Sequence, residues 1–274
     1  MNETPFFFAT RPAARKSLFG VLHEADAPSN RPVVVICPPF VEEKLWAHRV
    51  LVSAARTFAA QGYSVLRFDY GGTGDSDGEL AEATLETTLD DVRRAVAQAR
   101  EMTGRDTVAL VGVRFGAAFA ALVAEDAPEV SHLSLWAPIL EGGRYMQEML
   151  RVNLSTQLAA YKAVRQDRAA LIALMSQGET VNVDGYELSY AMYTQCSSVT
   201  FGAGARAFGG RCLVAQVDVS DAAPVSRELE ALRSTYRNAQ FVRVAEDPFW
   251  KEVPVFCGRA DRLTQATIDW LGAS

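Results

Sequence analysis

The stretch Val108-Ala-Leu-Val-Gly-Val-Arg-Phe-Gly-Ala-Ala118 constrains this chain more than any other. The apolar run from Val108 to Val111 reads as a strand, and it breaks at Gly112-Val-Arg-Phe-Gly116. Small apolar residues from Ala117 to Val123 then read as a helix. Two glycines flanking a central residue let a strand and a helix approach closely around it, which is the Gly-x-Ser-x-Gly spacing of a nucleophile elbow. The central residue here is Arg114. A guanidinium stays protonated in proteins and cannot accept an acyl group. The pattern therefore specifies local architecture while withholding the usual chemistry.

The flanking sequence predicts an α/β fold: a mostly parallel central sheet flanked by helices, with an inserted helical cap. Phe6–Ala9 and Ser17–His23 read as an edge hairpin. Val33–Cys37 is a continuous β-branched run, as expected of a strand buried on both faces. Phe40–Lys44 reads as a loop, and Leu45–Gln61 as a helix ending at Gly62. A strand at Tyr63–Phe68 leads into a glycine-rich turn, followed by a helix over Thr84–Met102 with Thr84 as its cap. Val130–Trp136 is the next strand. This alternation indicates βαβ units and parallel pairing. It is interrupted between about Ile139 and Gly209 by helical and irregular sequence, read as the cap. The core is thus expected over 1–138 and 210–274, with the cap over 139–209. Arg211–Val217, Pro224–Arg237, Phe241–Ala245 and Leu263–Leu271 resume the strand–helix pattern.

Composition excludes several classes of function. The net charge of −6 is spread along the chain with no basic run, so no nucleic-acid partner is expected. No apolar stretch reaches the roughly 18–20 residues that span a bilayer. The first residues lack a basic segment followed by a long apolar one, so no signal peptide is expected. Cys37, Cys196, Cys212 and Cys257 are scattered without metal-type spacing, which fits a reduced cytoplasmic protein without a metal. The Gly71–Gly78 loop matches neither a phosphate loop nor a dinucleotide fingerprint, and no cofactor is expected.

The order of hairpin, strand, Arg67-Phe-Asp-Tyr-Gly-Gly-Thr-Gly-Asp-Ser76, elbow and cap resembles the α/β-hydrolase superfamily, specifically its serine-aminopeptidase-like members. Five segments resemble the exosortase-A-system-associated hydrolase 2 group: Pro38-Pro-Phe-Val-Glu-Glu43, Gly112-Val-Arg-Phe-Gly116, Leu135-Trp-Ala-Pro138, Gly185-Tyr-Glu-Leu-Ser189 and Pro248-Phe-Trp250. The resemblance implies an ester or thioester hydrolase or an acyltransferase. Its partner would be a small acyl substrate or an acyl-carrier conjugate.

Such an enzyme needs a nucleophile, an acid after a late strand and a histidine near the C-terminus. Arg114 replaces the nucleophile; it either holds an anion or pairs internally with Glu42, Glu43 or Asp221. Asp221 falls where the resemblance places the triad acid, with Asp218 as its competitor. The histidine position reads Glu246-Asp-Pro-Phe-Trp-Lys251, and His23, His48 and His132 all lie elsewhere. Asp247 or Glu246 could supply a carboxylate base there, provided that burial raises its pKa. Pro38 and Pro39 lack N–H groups, so Phe40 or Val41 would supply an oxyanion donor. The candidate catalytic set is Arg114, Asp221, Asp247 and Glu43. The candidate substrate-binding set is Phe40, Val41, Glu42, Phe115, Tyr145 and Trp250. Three functions are compatible with these residues: acyl ester or thioester chemistry through a nonstandard site, ligand binding by an inactive relative, and a lyase or isomerase using Arg114 on a substrate carboxylate.

Overall fold

The computed structural model describes residues 2–9, 16–27, 29–201, 206–252 and 257–273. Strands β1 (Glu3–Ala9) and β2 (Ser17–His23) form the expected antiparallel edge hairpin. Strands β3 (Val33–Cys37), β4 (Val65–Phe68), β5 (Val108–Val113) and β6 (Val130–Trp136) follow, parallel to one another. Every residue of β3 and β5 is buried, as their unbroken apolar runs require.

Helices α1 (Glu42–Ala60), α2 (Leu85–Thr103) and α3 (Phe115–Asp126) connect these strands. Thr84 caps α2 as expected, accepting from the Thr87 N–H while the Thr87 hydroxyl accepts from the Thr84 N–H. Helix α1 begins earlier than its apolar spacing predicts: Glu42 and Glu43 are its first turn, not part of a loop. Carboxylates are favoured at that end of a helix, and Val41 turns the chain sharply just before it.

Between β6 and the next sheet strand lie α4 (Gly142–Tyr161), α5 (Arg168–Ser176), the hairpin β7 (Val181–Val183) with β8 (Tyr186–Leu188), and α6 (Tyr190–Ser197). The hairpin turns on Asp184-Gly185, both at positive φ, the residue pair such turns prefer. Residues 202–205, within the expected cap, fall outside the described residues. Strand β9 (Arg211–Asp218), α7 (Arg227–Thr235), β10 (Ala239–Ala245) and α8 (Asp261–Gly272) complete the chain. Ser226 caps α7, so that helix starts after Pro224 rather than at it.

The eight-stranded sheet runs β1-β2-β4-β3-β5-β6-β9-β10, antiparallel at the β1, β2 and β4 pairings and parallel beyond them. Side chains of α2 and α3 fill the core on one face, and those of α1 and α8 fill it on the other. Strand order reverses between β3 and β5, so the loops leaving those strands diverge and open a crevice at their C-terminal ends. Register aligns Cys37 with Gly112, Val113 with Trp136, and Trp136 with Ala215. Pro38, Arg114 and Ala137 therefore leave the sheet side by side.

Candidate functional site

Three non-glycine residues at this sheet edge adopt positive φ: Val41 (43°), Arg114 (56°) and Ala137 (45°). L-residues rarely occupy that region, and least of all β-branched ones. Such strain persists only where surrounding structure imposes it, and it concentrates at functional sites. The imposing structure is visible at Arg114. A Cβ on Gly116 would lie 2.2 Å from the Pro38 carbonyl oxygen, and one on Gly112 would lie 2.5 Å from Ala117 Cα. Only glycine at both positions lets β5 turn directly into α3 beneath the loop after β3. The Arg114 N–H donates to the Trp136 carbonyl at 2.9 Å, and the Arg114 carbonyl accepts from Ala117 at 3.1 Å.

The Arg114 side chain is only 20% exposed and is engaged on three sides. Its Nε and Nη2 both donate to Glu43 Oε1 at 3.1 Å. Its Nη1 donates to the Ala137 carbonyl at 3.3 Å. The Trp250 ring covers the guanidinium, with 4.8 Å from Cζ to the ring centroid. Arg114 stands where α3 begins, the end of a helix that disfavours cations. Glu43 supplies the compensating charge.

The other Glu43 oxygen is also used: the Tyr145 hydroxyl donates to Oε2 at 3.1 Å. Tyr145, on α4, is held by stacking on Phe115 with centroids 5.0 Å apart and planes 12° from parallel. Burial pushes the Glu43 carboxyl above the ordinary glutamate value, against the opposing pull of Arg114 and the Tyr145 hydrogen bond. Burial raises the Tyr145 phenol well above its usual value, and the adjacent Glu43 adds to that. Of the three internal partners expected for Arg114, Glu43 is the one the fold delivers.

Two cavities flank this cluster. One, of about 390 Å³, extends between the Ala137–Tyr145 segment and the end of β9. The other, of about 360 Å³, lies between the start of α1 and Trp250–Glu252. Arg114, Tyr145, Glu148 and Trp250 line both, so they form a shared wall. Val41 and Glu42, two of the candidates named from the sequence, line the second cavity. Phe40 and Phe115 do not line either: they are 1% and 0% exposed and pack with Phe119 in the core beneath.

The remaining expected carboxylates lie apart from Arg114. Asp221 is 79% exposed and pairs with Arg262 at 3.3 Å, away from both cavities. Its competitor Asp218, at the end of β9, does line the first cavity and accepts from Gln216 Nε2 at 2.6 Å. Asp247 is exposed and lines neither cavity, because the chain turns there through a Phe249 N–H to Asp247 carbonyl contact of 2.7 Å. Glu246 is spent on the start of α8, accepting from the Arg262 N–H at 2.6 Å.

No histidine lines either cavity. His23 is buried in β2, accepts from Arg67 at 2.9 Å, and is pushed down to about 4 chiefly by burial. His132 packs edge-on against Trp270 with centroids 5.5 Å apart, and burial likewise lowers it to about 4. His48 lies on α1, its pKa also lowered by burial. Cys37 is buried, and burial raises its thiol far from the reactive range. Among the described residues no cluster of three or more His, Cys, Asp or Glu side chains could hold a metal.

Sequence reasoning missed Glu148, Asp218 as a wall residue, and Trp46. For Glu148 a signal existed. It follows Tyr145 by three residues on α4, the spacing that puts two side chains on one helix face.

The parallel sheet, the elbow and the crevice above it define an α/β-hydrolase fold. The serine aminopeptidase (S33) family matches residues 28–199, and the chain belongs to that family of α/β hydrolases. No curated protein matches the sequence. Among solved structures, the chain is similar to Est1E from Butyrivibrio proteoclasticus with ferulic acid bound, at 16% identity and a TM-score of 0.65 over 97% of this chain and 96% of that one. The α/β hydrolase GrgF from Penicillium sp. sh18 shares 15% identity, with a TM-score of 0.65 over 99% and 98% of the two chains. Alpha/beta hydrolase domain-containing protein 10 from mouse shares 13%, with a TM-score of 0.60 over 98% of each. Similarity at this level establishes the fold. No helix among the described residues is long and apolar enough to cross a membrane.

Proposed function

We propose that the protein binds a small-molecule ligand in the groove at Arg114 and does not carry out serine-type acyl transfer. One observation carries this reading: the side chain at the nucleophile position is a guanidinium already committed to Glu43 and the Ala137 carbonyl. Acyl transfer needs a nucleophile activated by an adjacent base, and no histidine lines the groove. The segment between β6 and β9 acts as the cap, bringing Tyr145 and Glu148 over the elbow. The resemblance to the exosortase-A-system-associated group rests on short motifs and is compatible with either an acyl ligand or an acyl-carrier conjugate.

A second reading has its own support. Glu43 lines the second cavity and its pKa is raised by burial, the tuning that suits a general base acting on water. In that case Arg114 positions the base, and the substrate is an ester or thioester.

Turnover of p-nitrophenyl esters and acyl thioesters separates the two. Under the binding reading, wild type shows no turnover above background. Arg114→Ser stays inactive as well, because a serine there has no histidine to activate it. Turnover by wild type that is lost in Glu43→Gln, with the fold intact by circular dichroism, would establish the second reading instead.

A further inference from the structure

The far end of α4 carries apolar surface that the core does not use. Leu158 and Tyr161 are each 54% exposed and Val164 is 49% exposed, three large apolar side chains close together in sequence. Every residue from Leu158 to Asp167 is exposed, so this segment projects from the cap as a tip. Leu154, Leu158 and Tyr161 follow one another at i, i+4 and i+7, which makes a single stripe along α4. Leu154 is half-buried against the core, and the stripe runs outward from it. Another face of α4 is occupied by the β7–β8 hairpin: Asn153 donates to the Asn182 carbonyl at 2.6 Å, and the Thr156 hydroxyl to Asp184 at 3.3 Å.

Positive charge gathers at the same place. The chain from Arg151 to Arg168 carries Arg151, Lys162, Arg165 and Arg168 against one carboxylate, Asp167. That carboxylate is already used to cap α5, accepting from the Ala170 N–H at 2.8 Å. Among the described residues none of the four cations is held in an ion pair. Arg165 lies instead over the Tyr161 ring, 3.8 Å from Cζ to the centroid, so cation and aromatic face share one surface. The whole chain has a net charge of −6, and the tip stands against that balance.

Attachment to a bilayer takes two weak signals together: apolar side chains that enter the interface, and cations beside anionic headgroups. The tip supplies both. A stable protein partner would need roughly 800 Å² of matching surface on each side, whereas the apolar part of this tip is three half-exposed side chains on a projection. Long cationic side chains can lie along apolar surface and keep their charged heads at the interface. We propose that the cap tip, the end of α4 with the loop to α5, docks on the surface of an anionic lipid bilayer. Leu158, Tyr161 and Val164 enter the headgroup region, and the four cations meet the anionic headgroups. At 1.5 Å per residue, Tyr161 lies about 20 Å along α4 from Glu148 on the groove wall, so docking leaves the groove open. The proposal stands apart from the ligand reading above.

The test is sedimentation of the full chain with large unilamellar vesicles at low salt. The vesicles are phosphatidylcholine alone, or phosphatidylcholine with about 30% phosphatidylserine. Wild type is expected to partition at least about tenfold more strongly onto the anionic vesicles, and to come off them at about 0.5 M salt. Lys162→Gln with Arg165→Gln is expected to weaken that binding about tenfold. Leu158→Ser with Val164→Ser keeps the charge and is expected to weaken it about fivefold. All four positions are exposed, and circular dichroism checks that each variant stays folded. Arg233→Gln with Arg237→Gln removes the same charge from exposed positions outside the cap, and is expected to change binding by less than about twofold. An equal loss in that control overturns the proposal, because net charge alone would then account for attachment. So does wild type that binds neither vesicle, or binds both alike. Binding of poly-L-glutamate without vesicle binding overturns it in favour of an acidic polypeptide partner.

Discussion

Replacing Arg114 with alanine is expected to destabilise the protein by about 2–4 kcal/mol at pH 7, because it strands a largely buried carboxylate without its counterion. The range sits below that of a fully enclosed pair because both side chains keep about a fifth of their surface in solvent (20% and 19%). The cost should also depend on pH in a particular direction. Burial already holds the Glu43 pKa above its ordinary value, so the folded protein binds that proton more tightly than the unfolded chain does. This contribution is fully present below the ordinary glutamate pKa and is lost as pH rises through the raised value. Arg114 opposes the rise, so its removal lifts the Glu43 pKa further and widens the window of loss. Near pH 4, where glutamate is substantially protonated even in an unfolded chain, the penalty should shrink by at least half. Urea melts of wild type and Arg114→Ala at both pH values measure this directly. Arg114→Met combined with Glu43→Gln should recover much of the stability, since no buried charge is then left unpaired. An equal cost at both pH values would show that the pair contributes through packing alone.

Gly116→Ala is expected to have a larger effect still. The added methyl would sit 2.2 Å from the Pro38 carbonyl oxygen and 2.6 Å from that of Cys37. Both obstacles are backbone, at the end of a central, fully buried strand, so neither can rotate aside. Accommodation requires α3 to move away from β3 and opens the core around Phe119. The expected cost exceeds about 4 kcal/mol, the range reserved for severe core disruption; loss of cooperative unfolding is the equivalent result. Gly209→Ala is the control. A Cβ there meets nothing within 4 Å, and an exposed substitution of that kind should change stability by no more than about 0.5 kcal/mol. A Gly116→Ala variant that melts like wild type would mean that the strand and helix are not in the contact described.

These two positions also mark what can be read from sequence. The elbow is legible because its determinants are local: an apolar run, two glycines at fixed spacing, and small residues after them. The same holds for the sheet strands, whose β-branched runs declare burial on both faces. The partner of Arg114 was legible only as a choice among Glu42, Glu43 and Asp221. The choice depends on where α1 starts, and apolar spacing placed that start at Leu45 rather than Glu42. The shift follows from the sharp turn at Val41, a conformation that a valine gives no local reason to expect. Asp221 lost out for a different reason: the chain after β9 carries it outward to Arg262. The groove walls were the least legible part. Val41, Glu42, Tyr145 and Trp250 are singled out by the sequence, but Glu148 and Gln216 join them from elements far apart in the chain, and that convergence is a property of topology rather than of any short pattern.

The positive-φ turns at Val41, Arg114 and Ala137 have a bearing on what this chain could be made to do. At Arg114 the turn is held by the end of β5 and by the close backbone contacts at Gly112 and Gly116, not by the chemistry of the side chain. Position 114 therefore behaves as a socket: the frame determines where a side chain is presented, and the residue plugged into it determines what is presented. A protein of this kind can exchange its central functional group by a single substitution while the mounting around it stays in place.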